Sequence, residues 1–341
     1  MKLDNQTLFA ADLFIVQDGD GNDLLLVVVK ATYAIGINED ELTLHQKQEP
    51  LQLSDKYYDT PENSGIRCAS DIGYGKCGTD IAVIGHAYAP GGYATESSLT
   101  LKVGQVRKTI NVFGDRFWKD RIGFTGKTRP LPFERIPIVY ELAFGGEDKS
   151  HANPEKHEAE QRNLIGTGFR ARKSKMPING TRLPNFEDPD ESIKSPYDRP
   201  KPAGFGFVSP MWQPRLGYAG TYDKVWEKAR KPLLPLDFDT KFFNAAHPDL
   251  VFPGFLRGDE PVMLAGVTER GTVRFSLPAD APKCSIKMAD EQIQMLEMRL
   301  DKLLLNCDEL NLVMVWGASM KMPEHHEEIH EIELHPSKLT Y

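Results

Sequence analysis

Alternation of apolar and polar residues with a period of two is the feature that most constrains the fold of this chain. Leu24–Val29 is an apolar run rich in β-branched residues, and it follows the turn-forming stretch Asp18–Asn22. Thr79–Tyr88 and Ser98–Gly104 both alternate, and Val106–Phe113 continues the pattern after a tight turn. Because successive side chains of a β-strand point to opposite faces of a sheet, this period predicts strands joined as antiparallel hairpins.

The pattern returns in the last hundred residues. Glu260–Val267, Gly271–Leu277 and Leu310–Trp316 are interpreted as strands. Glu291–Leu305 is ambiguous, because its apolar residues fit one face of a helix that begins after an Asp290 N-cap. The last six residues of that segment fit a strand equally well, hairpinned to the next one. Both interpretations stay open at this point.

The middle of the chain, from 146 to 240, has a different character. Gly, Pro and aromatic residues recur there, and neither period persists. The aromatic anchors predict irregular but ordered structure on the sheets rather than a flexible linker, with a short helix near Thr221–Ala229. The sequence therefore predicts a mainly β protein with few short helices. It consists of an antiparallel β-sandwich or barrel-like unit over 1–145, this irregular segment over 146–240, and a C-terminal β unit over 241–341.

Charge and the N-terminal sequence bear on partners and compartment. The formal net charge is −8, so no global positive field would recruit nucleic acid or an anionic membrane. The longest apolar run has six residues, far fewer than the roughly 20 needed to span a bilayer. No basic segment followed by an apolar one marks a secretory signal. We therefore expect a cytoplasmic protein with no nucleic-acid or membrane partner.

The cysteine pattern agrees with a reducing compartment. Cys68, Cys77, Cys284 and Cys307 form no C-x-x-C pair, and four cysteines are too few for a disulfide scaffold. Unpaired thiols are therefore predicted. A bridge between Cys68 and Cys77 across the intervening turn is the alternative.

One motif points to metal chemistry. His326-Glu327-Glu328-Ile329-His330 matches H-E-x-x-H, in which two histidines one helical turn apart bind zinc. Only 11 residues follow His330, too few for a third ligand on a later helix, and the stretch after it alternates like a strand. We therefore predict no metal, no cofactor and no catalytic residue. A hydrolase that uses His326 and His330, or Asp115, Arg116 and Asp223, is the enzymatic alternative.

Short glycine- and aromatic-rich phrases along most of the chain resemble one protein family. In chain order they are Val29–Tyr33, Ser70–Ile72, Gly85–Pro90, Phe113–Trp118, Tyr140–Gly146, Gly166–Phe169, Leu183–Glu187, Pro202–Gly206, Trp212–Arg215, Ala219–Asp223 with Trp226, Leu236–Asp239, Phe242–Ala246 and Leu256–Glu260. In this order the phrases resemble the bacterial domain-of-unknown-function family 2169, over about residues 5–320.

The resemblance implies a function without implying catalytic residues. Members of that family are encoded beside type VI secretion spike and effector genes and look like adaptors or chaperones that help load an effector onto the spike. The implied partners are therefore a secreted effector and spike or tip proteins. A structural component that stays with the secreted particle is the further alternative.

Interface energy is usually dominated by a few aromatic and arginine side chains, so these are the expected partner contacts. Within the family-like phrases, the residues predicted to bind a partner are Trp118, Trp212, Trp226, Arg116 and Arg215. The competing interpretation for each tryptophan is a place in the core.

Overall fold

The computed structural model describes residues 1–36, 42–269, 271–323 and 328–337. Strands make up 41% of the chain and helices 7%, so the prediction of a mainly β fold is confirmed. The strands form several sheets, most of them antiparallel, and no closed barrel is present in the described part. The fold class is therefore that of packed sheets rather than a barrel.

The strands lie in the predicted parts of the chain, with additional short ones between them. In the first part they are β1 (Lys2–Asn5), β2 (Ala10–Gln17), β3 (Asp23–Ile35), β4 (Leu42–Leu44), β5 (Lys56–Tyr57), β6 (Ile66–Cys68), β7 (Asp80–Ile84), β8 (His86–Tyr88), β9 (Glu96–Val103), β10 (Val106–Phe113), β11 (Trp118–Arg121), β12 (Phe124–Lys127), β13 (Arg135–Pro137) and β14 (Phe144–Gly145). The remaining strands are β15 (Glu147–Asp148), β16 (Glu158–Ala159), β17 (Thr167–Gly168), β18 (Phe186–Glu187), β19 (Pro261–Ala265), β20 (Val273–Ser276), β21 (Lys283–Met288), β22 (Ile293–Leu296), β23 (Arg299–Asn306), β24 (Asn311–Lys321) and β25 (Ile329–His335).

Helices are few and short, as predicted. The described residues contain one α-helix, α1 (Lys224–Ala229), where the sequence predicts a short helix. The 3₁₀ helices are Tyr140–Leu142, Pro154–Lys156, Arg215–Tyr218, Thr240–Phe243 and Pro248–Leu250. None of the described helices is both long and apolar enough to cross a lipid bilayer.

The helical interpretation of Glu291–Leu305 is wrong. This segment forms β22 and β23, and β23 pairs with β24 as the alternative interpretation has it. The helix-like step from Leu300 to Leu303 arises because the pairing of β23 with β24 shifts between Leu300 and Lys302. Asp301 is the extra residue of a β-bulge there, and a bulge breaks the strict period of two.

A six-stranded sheet forms the centre of the molecule, with its main strands in the order β2-β3-β24-β23-β7 and β4 paired to β3. Side chains of β3 enter apolar clusters on both faces: Leu26 and Val28 on one, and Val29, Ala31 and Tyr33 on the other. Burial on both faces explains why Leu24–Val29 is continuously apolar rather than alternating.

A five-stranded sheet in the order β18-β10-β9-β19-β20 covers one face of the central sheet. Its residues Leu99, Leu101 and Ile110 share one apolar cluster with Ala31 and Tyr33 of β3. Alternate residues of β10 are buried, which is the pattern of a sheet with one face on the core. The two sheets pack face to face as a sandwich, which includes strands from beyond residue 260 as well as from 1–145.

Both large sheets combine strands from the two ends of the sequence. In the central sheet, β3 pairs with β24 and β7 runs parallel to β23; in the other, β9 pairs with β19. The first and last segments of the chain thus contribute strands to the same sheets. The division of the chain into domains at 1–145, 146–240 and 241–341 stays a prediction. A further four-stranded sheet, β1-β25-β21-β22, also joins the two ends.

The middle segment is irregular and ordered. Phe186 of β18 pairs with β10, and Phe205 and Phe207 are fully buried. These phenylalanines enter the clusters formed by the sheets, as the aromatic content predicts.

Candidate binding surface

Two of the three tryptophans predicted to bind a partner lie in the core. Trp118 and Trp212 are each 3% exposed. Trp118 packs in a small cluster with Phe144 and Phe169, and Trp212 contacts the ring of Tyr140 edge-on, with ring centroids 5.6 Å apart. The prediction of a partner contact is therefore corrected for both residues, which instead anchor the irregular segment.

Arg116 is also an interior residue. Its side chain is 4% exposed, and Nη2 donates to Glu187 Oε1 at 2.7 Å and to the carbonyl of Pro184 at 2.8 Å. The guanidinium carbon lies 3.7 Å from the centre of the Phe113 ring. Burial lowers its pKa, and Glu187 opposes that effect. Arg116 therefore fastens β18 to the end of β10, and its predicted contact with a partner is corrected.

Arg215 begins the 3₁₀ helix Arg215–Tyr218 and is only partly buried. Nε donates to the carbonyl of Phe242 at 2.8 Å, and Nη1 donates to the carbonyl of Val208 at 2.9 Å. Burial lowers the pKa of the guanidinium. No carboxylate of the described chain lies within ion-pair distance of it. Its predicted contact with a partner stays a prediction.

Trp226 is half-buried on α1. Asp223 caps this helix by accepting from the backbone N–H groups of Val225 and Trp226, both at 2.9 Å. The indole N–H of Trp226 donates to the carbonyl of Leu233 at 2.8 Å, and its ring contacts Tyr222 edge-on at 4.7 Å. Trp226 therefore packs against Tyr222 and binds the carbonyl of Leu233. Its own contact with a partner stays a prediction.

Residues 219–238 form a closed loop, called the 219–238 loop below. At its neck, the N–H of Asp239 donates to the carbonyl of Tyr218 at 2.9 Å. Inside the loop, Thr221 donates to both carboxylate oxygens of Asp237, at 2.9 and 2.7 Å. Arg230 fixes it to the turn between β2 and β3 by donating to the carbonyl of Gly19 at 2.7 Å. Hydrogen bonds at the neck and at Arg230 therefore tie the loop to the rest of the fold.

The 219–238 loop presents large apolar side chains to solvent. Tyr222 is 53% exposed, Val225 71% and Leu236 87%. The bonds between Thr221 and Asp237 bring their sequence neighbours, Tyr222 and Leu236, to the same end of the loop. Three exposed apolar side chains on one ordered loop make this loop a candidate interaction site. Val225 and Leu236 are not among the residues predicted from sequence, because only the fold distinguishes an exposed aliphatic residue from a buried one.

The residues that the hydrolase alternative would use lie in different parts of the structure and make local contacts there. Asp115 pairs with Arg182 at 2.6 Å and accepts from Asn185 at 3.1 Å, while Asp223 caps α1. His326 lies outside the described residues, and His330 is exposed on β25. Within the described ranges, no three His, Cys, Asp or Glu side chains come together as a metal site.

A comparison with models of known protein families shows the family of this chain. The model of a bacterial family described as "Uncharacterized protein conserved in bacteria (DUF2169)" matches residues 20–317. The chain belongs to the DUF2169 family. The match covers the five-stranded sheet, the 219–238 loop and the central sheet except β2 and the end of β24, and the family description states no activity. No curated protein and no solved structure matches the chain.

This DUF2169 protein also contains a buried charge cluster that sequence reasoning did not find. Lys302 of β23 forms an ion pair with Asp71, and Lys30 of β3 lies 3.3 Å from the same carboxylate. Burial opposes ionisation of Asp71, but Lys302 and Lys30 outweigh it and lower its pKa. The three side chains are at most 3% exposed. A substrate could not reach them, so the cluster ties the Asp71 segment to the central sheet.

All four cysteines of the DUF2169 chain are free. Cys284 and Cys307 are buried, and burial raises the pKa of both thiols, that of Cys284 to about 11. Cys77 is exposed and Cys68 is half-buried. Cys68 and Cys77 are therefore not bridged in this structure.

Proposed function

We propose that this protein is a non-enzymatic adaptor that binds another protein through the 219–238 loop. The observation that carries the proposal is the exposure of Tyr222, Val225 and Leu236 on a loop closed by hydrogen bonds. A loop already ordered loses little conformational entropy on binding, so burial of its apolar side chains contributes more fully to affinity. The partner therefore offers an apolar surface to this loop.

The proposed partner is a type VI secretion effector, which the protein binds in the cytoplasm and helps load onto the spike complex. This identification is supported by the family resemblance of the sequence phrases. It agrees with the location of the notable charged residues, since Arg116, Asp71 and Lys302 serve buried structural pairs. An adaptor needs an accessible binding surface rather than an accessible acid, base or nucleophile.

Co-purification from the native operon tests the proposal. The full chain, tagged and expressed with its neighbouring genes, is expected to retain an effector and a spike protein identified by mass spectrometry. The double variant Val225→Asp/Leu236→Asp should retain about tenfold less effector, because charged side chains cannot enter an apolar interface. Leu8→Asp is the matched control, since Leu8 is 77% exposed and lies outside the loop.

The possible outcomes test the adaptor role and the choice of the 219–238 loop as its binding surface separately. All variants should melt within about 2 °C of the wild type, because each changed side chain is exposed. If the wild type retains neither protein, the adaptor proposal fails. If the double variant retains both at the wild-type level, the loop is not the binding surface. The chain's presence in secreted particles would favour the structural-component alternative.

A further inference from the structure

Two adjoining concavities lie at the base of the 219–238 loop. Their volumes are about 260 and 380 Å³, and both are lined by Val208, Pro214 and Pro248. We call them together the proline-walled groove. The smaller one is also lined by Tyr218, whose carbonyl closes the neck of the loop, and by Lys241. The groove therefore adjoins the apolar surface without being part of it.

The larger concavity contains a buried hydrogen-bond donor that lacks an acceptor. Tyr140 lines this space and is 4% exposed, and its hydroxyl has no hydrogen-bond partner among the described residues. Burial raises the pKa of this hydroxyl, and the carboxylate of Asp249, which lines the same space, raises it further. The hydroxyl is thus protonated at neutral pH and able to donate. A buried unpaired hydroxyl costs free energy that a bound acceptor would recover.

The charges that line the groove are mostly positive, in a chain whose net charge is −8. Arg215 and Lys241 line the smaller concavity; Arg162 and Lys201 line the larger one, together with Asp249. Asp249 is already paired with Lys108 at 2.7 Å.

Of these four cations, Arg215 is the one whose side chain forms no ion pair with a carboxylate of the described residues. Arg162, Lys201 and Lys241 each have a carboxylate within 4.0 Å. By contrast, the guanidinium of Arg215 donates to backbone carbonyls, those of Phe242 and Val208. A guanidinium without an ion pair is suited to bind a carboxylate from a ligand.

We propose that the proline-walled groove binds an extended acidic and apolar peptide segment of a protein partner. An extended chain places alternate side chains on one face, so one apolar side chain enters between the prolines and an acidic one lies beside Arg215. The Tyr140 hydroxyl donates to a backbone carbonyl of the segment. Only the identity of that partner as a secreted effector rests on the function proposed above.

Selection from a phage-displayed library of random decapeptides on the full chain tests the groove directly. Peptides that combine acidic and apolar residues are expected to be enriched. Their affinity for Tyr140→Phe should fall about three- to tenfold, since this change removes one hydrogen bond from a buried site. Lys241→Glu, which places a negative charge beside the proposed carboxylate, should weaken binding about tenfold or more.

Matched controls keep the test interpretable. Tyr93→Phe and Lys102→Glu make the same chemical changes at exposed positions that do not line the groove, and they should bind the selected peptides like the wild type. Tyr140→Phe should melt at or above the wild-type temperature, because the lost hydroxyl is buried and has no partner in the protein. Peptides without acidic residues, or equal affinity for Tyr140→Phe, Lys241→Glu and wild type, would overturn the proposal. A groove occupied by a second copy of the chain, seen as a dimer that Lys241→Glu dissociates, would overturn it too.

The test also distinguishes this inference from the adaptor proposal. If selected peptides bind as expected but the wild type retains no effector, the groove stands and the adaptor role fails. If the effector is retained equally by Tyr140→Phe and Lys241→Glu, and the selected peptide does not compete for it, the groove is wrong and the adaptor role stands.

Discussion

Substitution of Asp301 by asparagine should stabilise the protein more at neutral pH than in acid. Asp301 is the extra residue of the bulge in β23, and it is 9% exposed. Its Oδ2 fills the space that a Cβ at Gly317 would occupy. Burial raises its pKa from 3.8 to about 6, and Lys76 offsets part of that effect. The folded state therefore retains a proton that the unfolded chain releases.

The direction follows from the two pKa values. Between pH 4 and pH 6 the folded state binds more protons at this site, so rising pH favours unfolding of the wild type. The pKa change from 3.8 to about 6 corresponds to about 3 kcal/mol over the whole range, of which about 2 kcal/mol falls between pH 4.5 and 7.5. An amide side chain does not titrate, so Asp301→Asn should gain about 2 kcal/mol on the wild type over that interval.

Urea unfolding followed by tryptophan fluorescence at pH 4.5 and 7.5, at constant ionic strength, measures this gain. Comparison of the two pH values removes any constant effect of the amide itself. Asp148→Asn is the matched control, because hydrogen bonds from Ser150 and Ser174 outweigh burial and lower the pKa of Asp148 to about 2. The stability that the ionised Asp148 side chain contributes is lost only below pH 4. The difference in unfolding free energy between Asp148→Asn and the wild type should therefore be the same at both pH values. An equally constant difference for Asp301→Asn would refute the reasoning.

Two further predictions concern the core. Asp71→Asn leaves the ammonium groups of Lys30 and Lys302 buried without their shared carboxylate, so it should cost about 3–5 kcal/mol in urea unfolding. The double variant Asp71→Asn/Lys302→Met should recover about half of that loss, and a single variant as stable as wild type would contradict this account. Trp118→Ala and Trp212→Ala should each cost about 3–5 kcal/mol. Trp226→Ala should cost less because Trp226 is half-buried, and equal melting temperatures for all three would show that the core is misassigned.

The parts of the fold that follow from local sequence could be predicted. β9 and β10 are joined by a tight turn, and both show the alternation of a half-buried sheet, so their pairing follows from neighbouring residues. The parallel pairing of β7 with β23 joins Asp80 to Lys302 across most of the chain. The sequence of neither strand identifies the other as its partner. Both strands are apolar, and another apolar strand could occupy the same position in the sheet. Sheet membership was therefore beyond sequence reasoning.

The candidate site was harder to predict for a related reason. Trp118 and Trp226 have similar neighbours, an apolar residue before them and a charged residue after them. Trp118 is nevertheless buried against Phe144 and Phe169, whereas Trp226 is half-exposed. In a strand, a buried residue commonly has polar neighbours that point to the other face, so flanking polarity does not reveal exposure. The unpartnered hydroxyl of Tyr140 is equally invisible in the sequence, since it depends on which groups the fold fails to place beside it.

The two anchors of the 219–238 loop determine how it can serve a partner. A loop held only at its neck, by Tyr218 and Asp239, could rotate about that point, and binding would have to order it. Arg230 supplies a second anchor on the turn that joins β2 to β3, so the position of the loop is set by the central sheet. Tyr218 belongs both to the neck and to the lining of the groove. A partner that contacts the loop and inserts a segment into the groove would thus meet two surfaces at a fixed separation. Binding to the first would raise the effective concentration at the second. Two individually weak contacts could then give a stable complex that still dissociates stepwise.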